Sequence, residues 1–452
     1  MNGMRLSETA RLLKARHVGG DAVFRSVGID SRALEVGALF VALRGPHFDG
    51  HDYVVEAGGR GAVGAMVARA LDVELPQLVV RDPRTALGTL AAHHRGRLRI
   101  PVVAVTGSNG KTTVKEMLGS ILRSLGEVLI TRGNRNNDLG VPLTLLQIDD
   151  RHAGAVIEMG ANHPGEIAVL SRMAAPTVAL ITNAGSAHLE GFGALEGVAR
   201  AKGEIFEGLA AQGTAVINAD DPHAALWRRL AGAGRNVLTF GMERAADVRA
   251  GDLTVLPDAS SRFTLETAQG TVPVTLPLPG RHNVLNAAAA AAAALAAGAD
   301  LDSIRTGLAA AHGAPGRLQV RAARAGARIL DDTYNANPAS LAAALDTLAV
   351  LPGAHWLALG DMAELGPEAE ALHAEVGRRA RATGVERLYA TGTLSRGAAR
   401  AFGTGARHFS DTVSLAQALE AALRPGVTVL VKGSRSMVME RVVGALIAEE
   451  VA

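Results

Sequence analysis

The segment VVAVTGSNGKTTVKEML (Val102–Leu118) constrains the fold more than any other part of the chain. An apolar, β-like run enters Gly107-Ser108-Asn109-Gly110, continues through Lys111-Thr112-Thr113, and passes into a helical stretch. Glycines let backbone N–H groups curl around a phosphate, and the helix N-terminus adds positive potential at the same place. The lysine reaches the terminal phosphates, and the hydroxyl after it holds magnesium. The spacing departs from G-x-x-x-x-G-K-[ST]: the position five before Gly110 is Val105, and the first loop glycine is Gly107. A plain glycine-rich turn would account for the glycines alone. Strand, loop, Gly-Lys-Thr and helix in this order point to nucleotide phosphate binding by Gly107, Ser108, Asn109, Gly110, Lys111, Thr112 and Thr113. The reaction stays open at this point.

Around this motif the pattern is α/β. With 452 residues the chain exceeds one ordinary core, and two to four domains are expected. Residues 1–97 carry short apolar runs (GALFVALRG, GAVGAMVA, PQLVV) split by Gly, Pro and Asp, as in a small α/β domain. Residues 98–313 alternate β-like runs (VVAVTG, GAVIEMG, TVALITN, GTAVINADD) with helical ones such as Lys111–Leu125 and Gly197–Leu209, which reads as a parallel sheet with crossover helices. Pro164 is expected in the first turn of a helix. The near-pure alanine run Ala287–Ala297 is too short and too weakly apolar to span a bilayer and reads as a buried or half-buried helix. Residues 314–452 alternate again, with strands RILDD, HWLALGD, RLYATG and VTVLVKG and helices over Ala339–Leu348, Glu368–Ala382 and Ser436–Ala448, as in a Rossmann-like domain.

Composition narrows the chemistry. Aromatics are 3% and the formal charge is +2, with no basic run, so no nucleic-acid partner is expected. The chain has no cysteine, which removes disulfides and thiolate-bound metal and agrees with a reducing compartment. The N-terminus lacks a signal-like apolar core, so a cytoplasmic chain without membrane insertion is expected. Lysine is scarce: Lys14, Lys111, Lys115, Lys202 and Lys432 are the only five among 46 basic residues. Where arginine serves wherever a plain positive charge will do, the three lysines that fall inside motifs mark places suited to a compact ammonium able to lose its proton.

Glu158 closes the run GAVIEMG, at the sheet edge where parallel α/β proteins bind ligands. With Thr112 it would make an oxygen-donor magnesium site; alone it is equally a solvated strand-end carboxylate. Downstream, His188 follows a strand and a glycine turn, and Lys202 sits on a helix whose Glu204 and Glu207 would pair with it as surface charges on the plainer reading.

The order GSNGKTT, N-x-x-x-A-H-L-x-x-F-G, A-x-x-K-x-E, GRHNVLNA, DDTYNANPAS and VKGSRS resembles the Mur ligases over essentially the whole chain. The resemblance implies a three-domain, ATP-driven amide ligase that acts on UDP-muramoyl precursors of peptidoglycan. DDTYNANP with GDMAELG (Gly360–Gly366) resembles the branch that adds D-alanyl-D-alanine to UDP-N-acetylmuramoyl-tripeptide. A sibling ligase or a folylpolyglutamate-type ligase with another amine is the alternative, and a phosphate-loop switch protein is a rival from a different class. By resemblance, Thr112, Glu158 and His188 serve Mg2+, and Lys202 is carbamylated, becoming an anion able to ligate metal. His282, Asn283 and Asn286 lie near adenine, and Arg317 and Asp332 contact ATP phosphate and ribose. Asn136, Asn137 and Ser186 face the muramoyl substrate. Ser31 and Arg32, with the HFDGHDY loop, form the UDP site, and Tyr334, Asn335, Asn337, Lys432 and Ser434 face the dipeptide or the acyl phosphate. Lys111, Lys202 and His188 are the implied catalytic groups. A monomer whose third domain closes before chemistry is expected.

Overall fold

The computed structural model describes residues 1–185, 192 and 194–447; Ser186 and His188, two expected site residues, lie outside them, as does the end of the expected helix Ser436–Ala448. The three larger sheets occupy successive stretches of chain. Residues 16–79 form a five-stranded sheet and residues 319–432 a six-stranded one. Between them lies a nine-stranded sheet, in the order Gly270–Leu276, Ser261–Thr267, Val248–Val255, Asn236–Gly241, Thr214–Asn218, Val178–Ile181, Val102–Thr106, His152–Glu158, Glu127–Ile130.

Seven strands of the large sheet are parallel, as the alternating pattern required, and their central members are buried on both faces. The strand Val102–Thr106 lies between Val178–Ile181 and His152–Glu158, so Val105 faces both Leu180 and Glu158. The segments that follow these three strands therefore emerge side by side at one carboxyl edge. Val248–Val255, Ser261–Thr267 and Gly270–Leu276 add an antiparallel meander that the sequence reading does not anticipate. Their buried-exposed alternation is that of a one-sided sheet (BeBiBei and eeBeBeB for the last two).

The alanine run lies in the helix Arg281–Ala296, with Ala287–Ala294 at most 1% exposed. It packs against both the large sheet and the phosphate-loop helix Lys111–Leu122, which itself rests on the sheet. Methyl side chains let these layers approach closely. On the following helix, Leu301–Ala309, a Cβ at Gly307 would come within 2.4 Å of the Ile121 backbone.

The first sheet unit is joined to the central one by a continuous core. Asp82 accepts hydrogen bonds from the Arg84 and Thr85 amides and so caps the helix Pro83–Gly96, worth about 1 kcal/mol. That helix contributes Leu87 and Leu90 to the same apolar cluster as Val102, Ile157 and Leu170. His94 bonds the Ile148 carbonyl at 2.8 Å, and Arg95 donates to the Ala174 and Ala175 carbonyls at 2.9 and 3.0 Å. The six-stranded unit instead has separate apolar clusters on its two faces, one of which also takes in Ala259 and Val255 from the central meander.

Several helix ends differ from expectation. The phosphate-loop helix ends at Leu122, with a 3-10 turn over Arg123–Leu125. The expected helix Gly197–Leu209 is Leu195–Gly203 followed by a 3-10 segment, Glu204–Gly208. Pro164 lies outside its helix, which starts at Glu166 after a left-handed Gly165. Ser436–Ala448 is broken by Val438 at φ +51°, leaving a 3-10 turn at Arg435–Met437 and a helix at Glu440–Leu446.

Candidate active site

A cavity of about 920 Å³ opens where the phosphate loop, the carboxyl edge of the large sheet and the third unit meet. The loop is held by its neighbours on every side. Gly107 (φ +144°) lies so close to Thr182 that a Cβ would fall 1.9 Å from its Oγ1, and at Gly110 (φ +84°) a Cβ would meet Asn286 Oδ1 at 2.4 Å. Only glycine fits either place. Thr182 Oγ1 and Asn183 Nδ2 donate to the Asn109 carbonyl at 2.6 and 3.1 Å, while Asn183 Oδ1 accepts from the Asn109 amide at 3.0 Å. Lys111 curls back over the loop, its Nζ donating to the Gly107 and Ser108 carbonyls at 2.6 and 3.2 Å. Burial pushes its ammonium below the usual lysine value, with nearby Arg317 adding to the fall and Glu158 opposing it.

Glu158 is buried beside the loop. Its Oε1 accepts from Asn136 Nδ2 at 2.9 Å, while Oε2 is buried without a hydrogen-bond partner. A buried carboxylate oxygen left bare costs on the order of 1–3 kcal/mol or more. With Thr112 in the same lining, the donors fit a hard divalent cation, which takes oxygen ligands.

Lys202 also lines the cavity and is 2% exposed, so the surface-pair reading fails. Glu204 accepts from the Gly165 and Ala168 amides, and Glu207 pairs with Arg172 at 2.5 Å. Burial, with repulsion from Lys111, pulls the Lys202 amine down to about 7, against the attraction of Glu204 and Glu166. Near neutral pH a large share of this amine is therefore unprotonated and nucleophilic.

The third unit closes the other side. Arg317 stacks over the Tyr334 ring, with Cζ 4.0 Å from its centroid, and its Nε is buried without a partner. Asp332 ends one strand beside Lys432, which ends the next, and the two form a buried ion pair. Asp332 Oδ1 also accepts from the Leu318 amide at 3.3 Å, and Lys432 donates to the Asn335 carbonyl at 2.9 Å. Burial lowers the Lys432 ammonium and Asp332 opposes that fall. Asn337 has two roles: its Oδ1 caps the helix Pro338–Ala349 through the Ser340 amide at 2.8 Å, and its Nδ2 donates to Asn109 Oδ1 in the phosphate loop at 2.9 Å. Burial holds His282 at about 4, hence neutral, with Asp332 opposing.

One cavity thus gathers a glycine-rich loop at a helix N-terminus, a buried carboxylate with one bare oxygen, a neutralisable amine and an arginine. That set suits phosphoryl transfer to a carboxylate. The chain matches the Mur ligase catalytic domain over residues 23–95, the Mur ligase middle domain over 105–294, and the Mur ligase glutamate ligase domain over 316–435. The chain belongs to the Mur ligase family. It is 46% identical to the UDP-N-acetylmuramoyl-tripeptide–D-alanyl-D-alanine ligase of Escherichia coli K12, covering 99% of both chains. The Acinetobacter baumannii MurF structure superposes with a TM-score of 0.92 at 38% identity, over 98% of each chain. A MurF ligase of Thermotoga maritima, solved in complex with ADP, is similar at a TM-score of 0.84 and 33% identity, covering 93% of this chain and 96% of that one.

Of the residues the Mur ligase resemblance singles out, the cavity brings together those of the loop from Ser108 to Thr113 and Glu158, Lys202, Asn136, Asn137, His282, Asn283, Asn286, Arg317, Asp332, Tyr334, Asn335, Asn337 and Lys432. Some also serve the fold: Asn283 Nδ2 donates to the Pro279 carbonyl at 2.7 Å, and Asn137 Oδ1 accepts from the Gly140 amide at 2.9 Å. Ser434 does not line the cavity; it is buried, with its amide on the Asp361 carbonyl at 2.9 Å. Ser31 and Arg32 lie in a 3-10 turn of the first unit, where Arg32 pairs with Asp30 at 2.9 Å. They line neither the central cavity nor a smaller one of about 290 Å³ walled by Arg44, His51, Arg69, Arg81 and Arg84. Two residues escape the sequence reading. Asn183, which opens the motif N-x-x-x-A-H-L-x-x-F-G but carries no implied role of its own there, grips the phosphate loop. Arg84 lines both cavities and pairs with Asp138 at 2.8 Å.

Proposed function

We propose that this enzyme joins D-alanyl-D-alanine to UDP-N-acetylmuramoyl-tripeptide, converting ATP to ADP and phosphate and giving the UDP-muramoyl pentapeptide of peptidoglycan synthesis. The observation that carries the chemistry is the meeting, in one cavity, of the loop Ser108–Thr113, Glu158 and Lys202 with Arg317 and Lys432 from the third unit. The choice of amine rests on the relatives' names and on DDTYNANP, whose Asn337 reaches the phosphate loop.

In the first step the tripeptide's terminal carboxylate oxygen attacks the γ-phosphorus as the bond to the bridging oxygen of ADP breaks, giving an acyl phosphate. The dipeptide's free amine then attacks the acyl carbon and loses a proton. The carbon–oxygen bond to phosphate breaks, releasing phosphate and leaving an amide. Two anions must meet in the first step, so the positive charges on Lys111 and Arg317 screen their repulsion, and most of the catalysis is positioning plus electrostatics. Thr112 and Glu158 would hold Mg2+, which would supply further positive charge toward the anions that must meet. Carbamylation joins the free Lys202 nitrogen to the carbon of CO2 with loss of a proton, and replaces an amine facing Lys111 by an anion. Arg84, lining both cavities, supports a substrate whose UDP end lies in the arginine-walled cleft while its peptide reaches the centre. Among the described residues no helix is long and apolar enough to cross a membrane.

A phosphate-release assay offering D-alanyl-D-alanine, diaminopimelate, D-glutamate and L-alanine in turn tests the assignment. Turnover with the dipeptide alone is expected; turnover with another amine in its place transfers the enzyme to a sibling specificity. Asp332→Ala has two expected readouts. The apparent KM for ATP rises, and stability falls by about 3–5 kcal/mol, because Lys432 is left buried and unpaired. An unchanged KM tells against a nucleotide role for Asp332, and an unchanged Tm tells against the pair.

A further inference from the structure

Lys115 is one turn beyond Lys111 on the phosphate-loop helix, does not line the cavity, and is 1% exposed. Its ammonium donates to the Thr131 carbonyl at 2.8 Å, lies 3.0 Å from Glu116 Oε1 and 3.9 Å from Glu158 Oε2. The longest of these distances matters most. Lys115 attracts the Glu158 carboxylate but stands outside hydrogen-bond range of Oε2, which keeps its lone pairs for another ligand.

The same contacts reach the next loop. The Glu158 amide donates to Thr131 Oγ1 at 3.0 Å, and Asn136 Nδ2 donates to Glu158 Oε1 at 2.9 Å. Asn136 is itself wedged in place: the Gly160 amide donates to its carbonyl at 2.8 Å, and a Cβ at Gly160 would lie 2.9 Å from its side chain. Lys115, Thr131, Glu158 and Asn136 therefore join the helix, the cation-site carboxylate and the 131–138 loop in one closed set of contacts. A point charge on a thin stem suits this buried slot, whereas a planar guanidinium needs more room and more acceptors.

We propose that Lys115 is a positioning residue for this reaction. It holds the Glu158 carboxylate, and through Thr131 the loop bearing Asn136, in the one arrangement that offers Oε2 to a divalent cation while setting Asn136 for the acyl substrate. The inference rests on the reading above, in which Glu158 holds the cation. It makes cation affinity and acyl-substrate affinity depend jointly on Lys115, while nucleotide held by the loop alone does not.

The test uses the full-length chain carrying Lys115→Met, with Lys115→Gln as a second variant that keeps a donor for Thr131 if the first does not fold, and Glu158→Gln as reference. Mn2+ binding to the nucleotide-free protein is read by electron paramagnetic resonance, ADP binding is measured in excess EDTA, and KM and kcat are measured for the UDP-muramoyl-tripeptide. The expected result is about tenfold weaker Mn2+ binding and about tenfold higher KM in the folded Lys115 variant, with ADP binding in EDTA within about twofold of the parent. Weakened Mn2+ binding in Glu158→Gln with parental Mn2+ binding and KM in the Lys115 variant overturns the role of Lys115 alone. Parental Mn2+ binding in both overturns the cation assignment and this inference with it. A fall in Tm with both affinities unmoved reduces Lys115 to a structural residue.

Discussion

Lys111→Ala is expected to lower ATP-dependent phosphate release, measured with all three substrates present, by about a thousandfold or more, which corresponds to ~4 kcal/mol of transition-state stabilisation. In the structure its ammonium lies on the Gly107 and Ser108 carbonyls, in the bend where the loop's backbone and the helix N-terminus converge. Among the described residues no other side-chain cation bonds these two carbonyls. Lys115, one turn further along the helix, donates to the Thr131 carbonyl, and Arg317 enters from another unit with its guanidinium over Tyr334. The fold should survive, because Thr182, Asn183 and Asn286 still hold the loop when the two bonds from Lys111 are lost. The discriminating measurement is kcat at saturating substrates beside an unchanged Tm; near-parental turnover removes the phosphate-loop assignment.

The second large effect is at Lys202. Lys202→Ala and Lys202→Arg are both expected to lose most activity, on the order of a hundredfold or more, with short carboxylic acids partly restoring the alanine variant by supplying an anion in the vacated space. Arginine fails for a chemical reason: a guanidinium stays protonated and does not add to CO2. The direction of the pH dependence follows from the lowered value. Above about 7 the Lys202 amine is the free base and combines with CO2; below it the ammonium forms and the carbamate is lost. Activity restored by bicarbonate to CO2-depleted enzyme should therefore vanish as pH falls through that value. For the uncarbamylated chain, burial also works against folding. The unfolded lysine keeps its proton up to about 10.5, so stability rises with pH between about 7 and 10.5 as the unfolded state loses that advantage. Full activity in Lys202→Arg, or indifference of the parent enzyme to CO2 depletion, removes the carbamate.

Much of the architecture was legible along the chain because its signals are local. An apolar run meeting Gly-Ser-Asn-Gly-Lys-Thr specifies strand, turn and helix from adjacent residues, and Asn337-Pro338 with Ser340 specifies a helix start in the same way. Where the chain departed from expectation, a non-local term prevailed. Val438 takes a left-handed backbone inside a segment with helical composition, and the Val248–Leu276 meander depends on register between three strands rather than on the period of any one. Lys202 shows the same division at the site. Its neighbours Glu204 and Glu207 suggest a surface pair, yet Glu204 turns to the start of the helix Glu166–Ala174 and Glu207 to Arg172, and the lysine is left inside.

The amino-acid order alone determined that this chain carries a phosphate-binding loop on a parallel sheet, and that three of its five lysines, Lys111, Lys202 and Lys432, fall within the motifs of the resemblance. Only the tertiary structure decided which of those groups face one another. It set Asn337 against Asn109, 228 positions apart, paired Lys432 with Asp332, 100 positions apart, and left one oxygen of Glu158 bare next to Lys115. The reason is the range of the forces. Backbone propensity, glycine freedom and capping act over a few residues and are written in short strings. Burial, charge pairing and the lowered proton affinity of Lys202 depend on which distant segments exclude water together, and that is settled when the units pack.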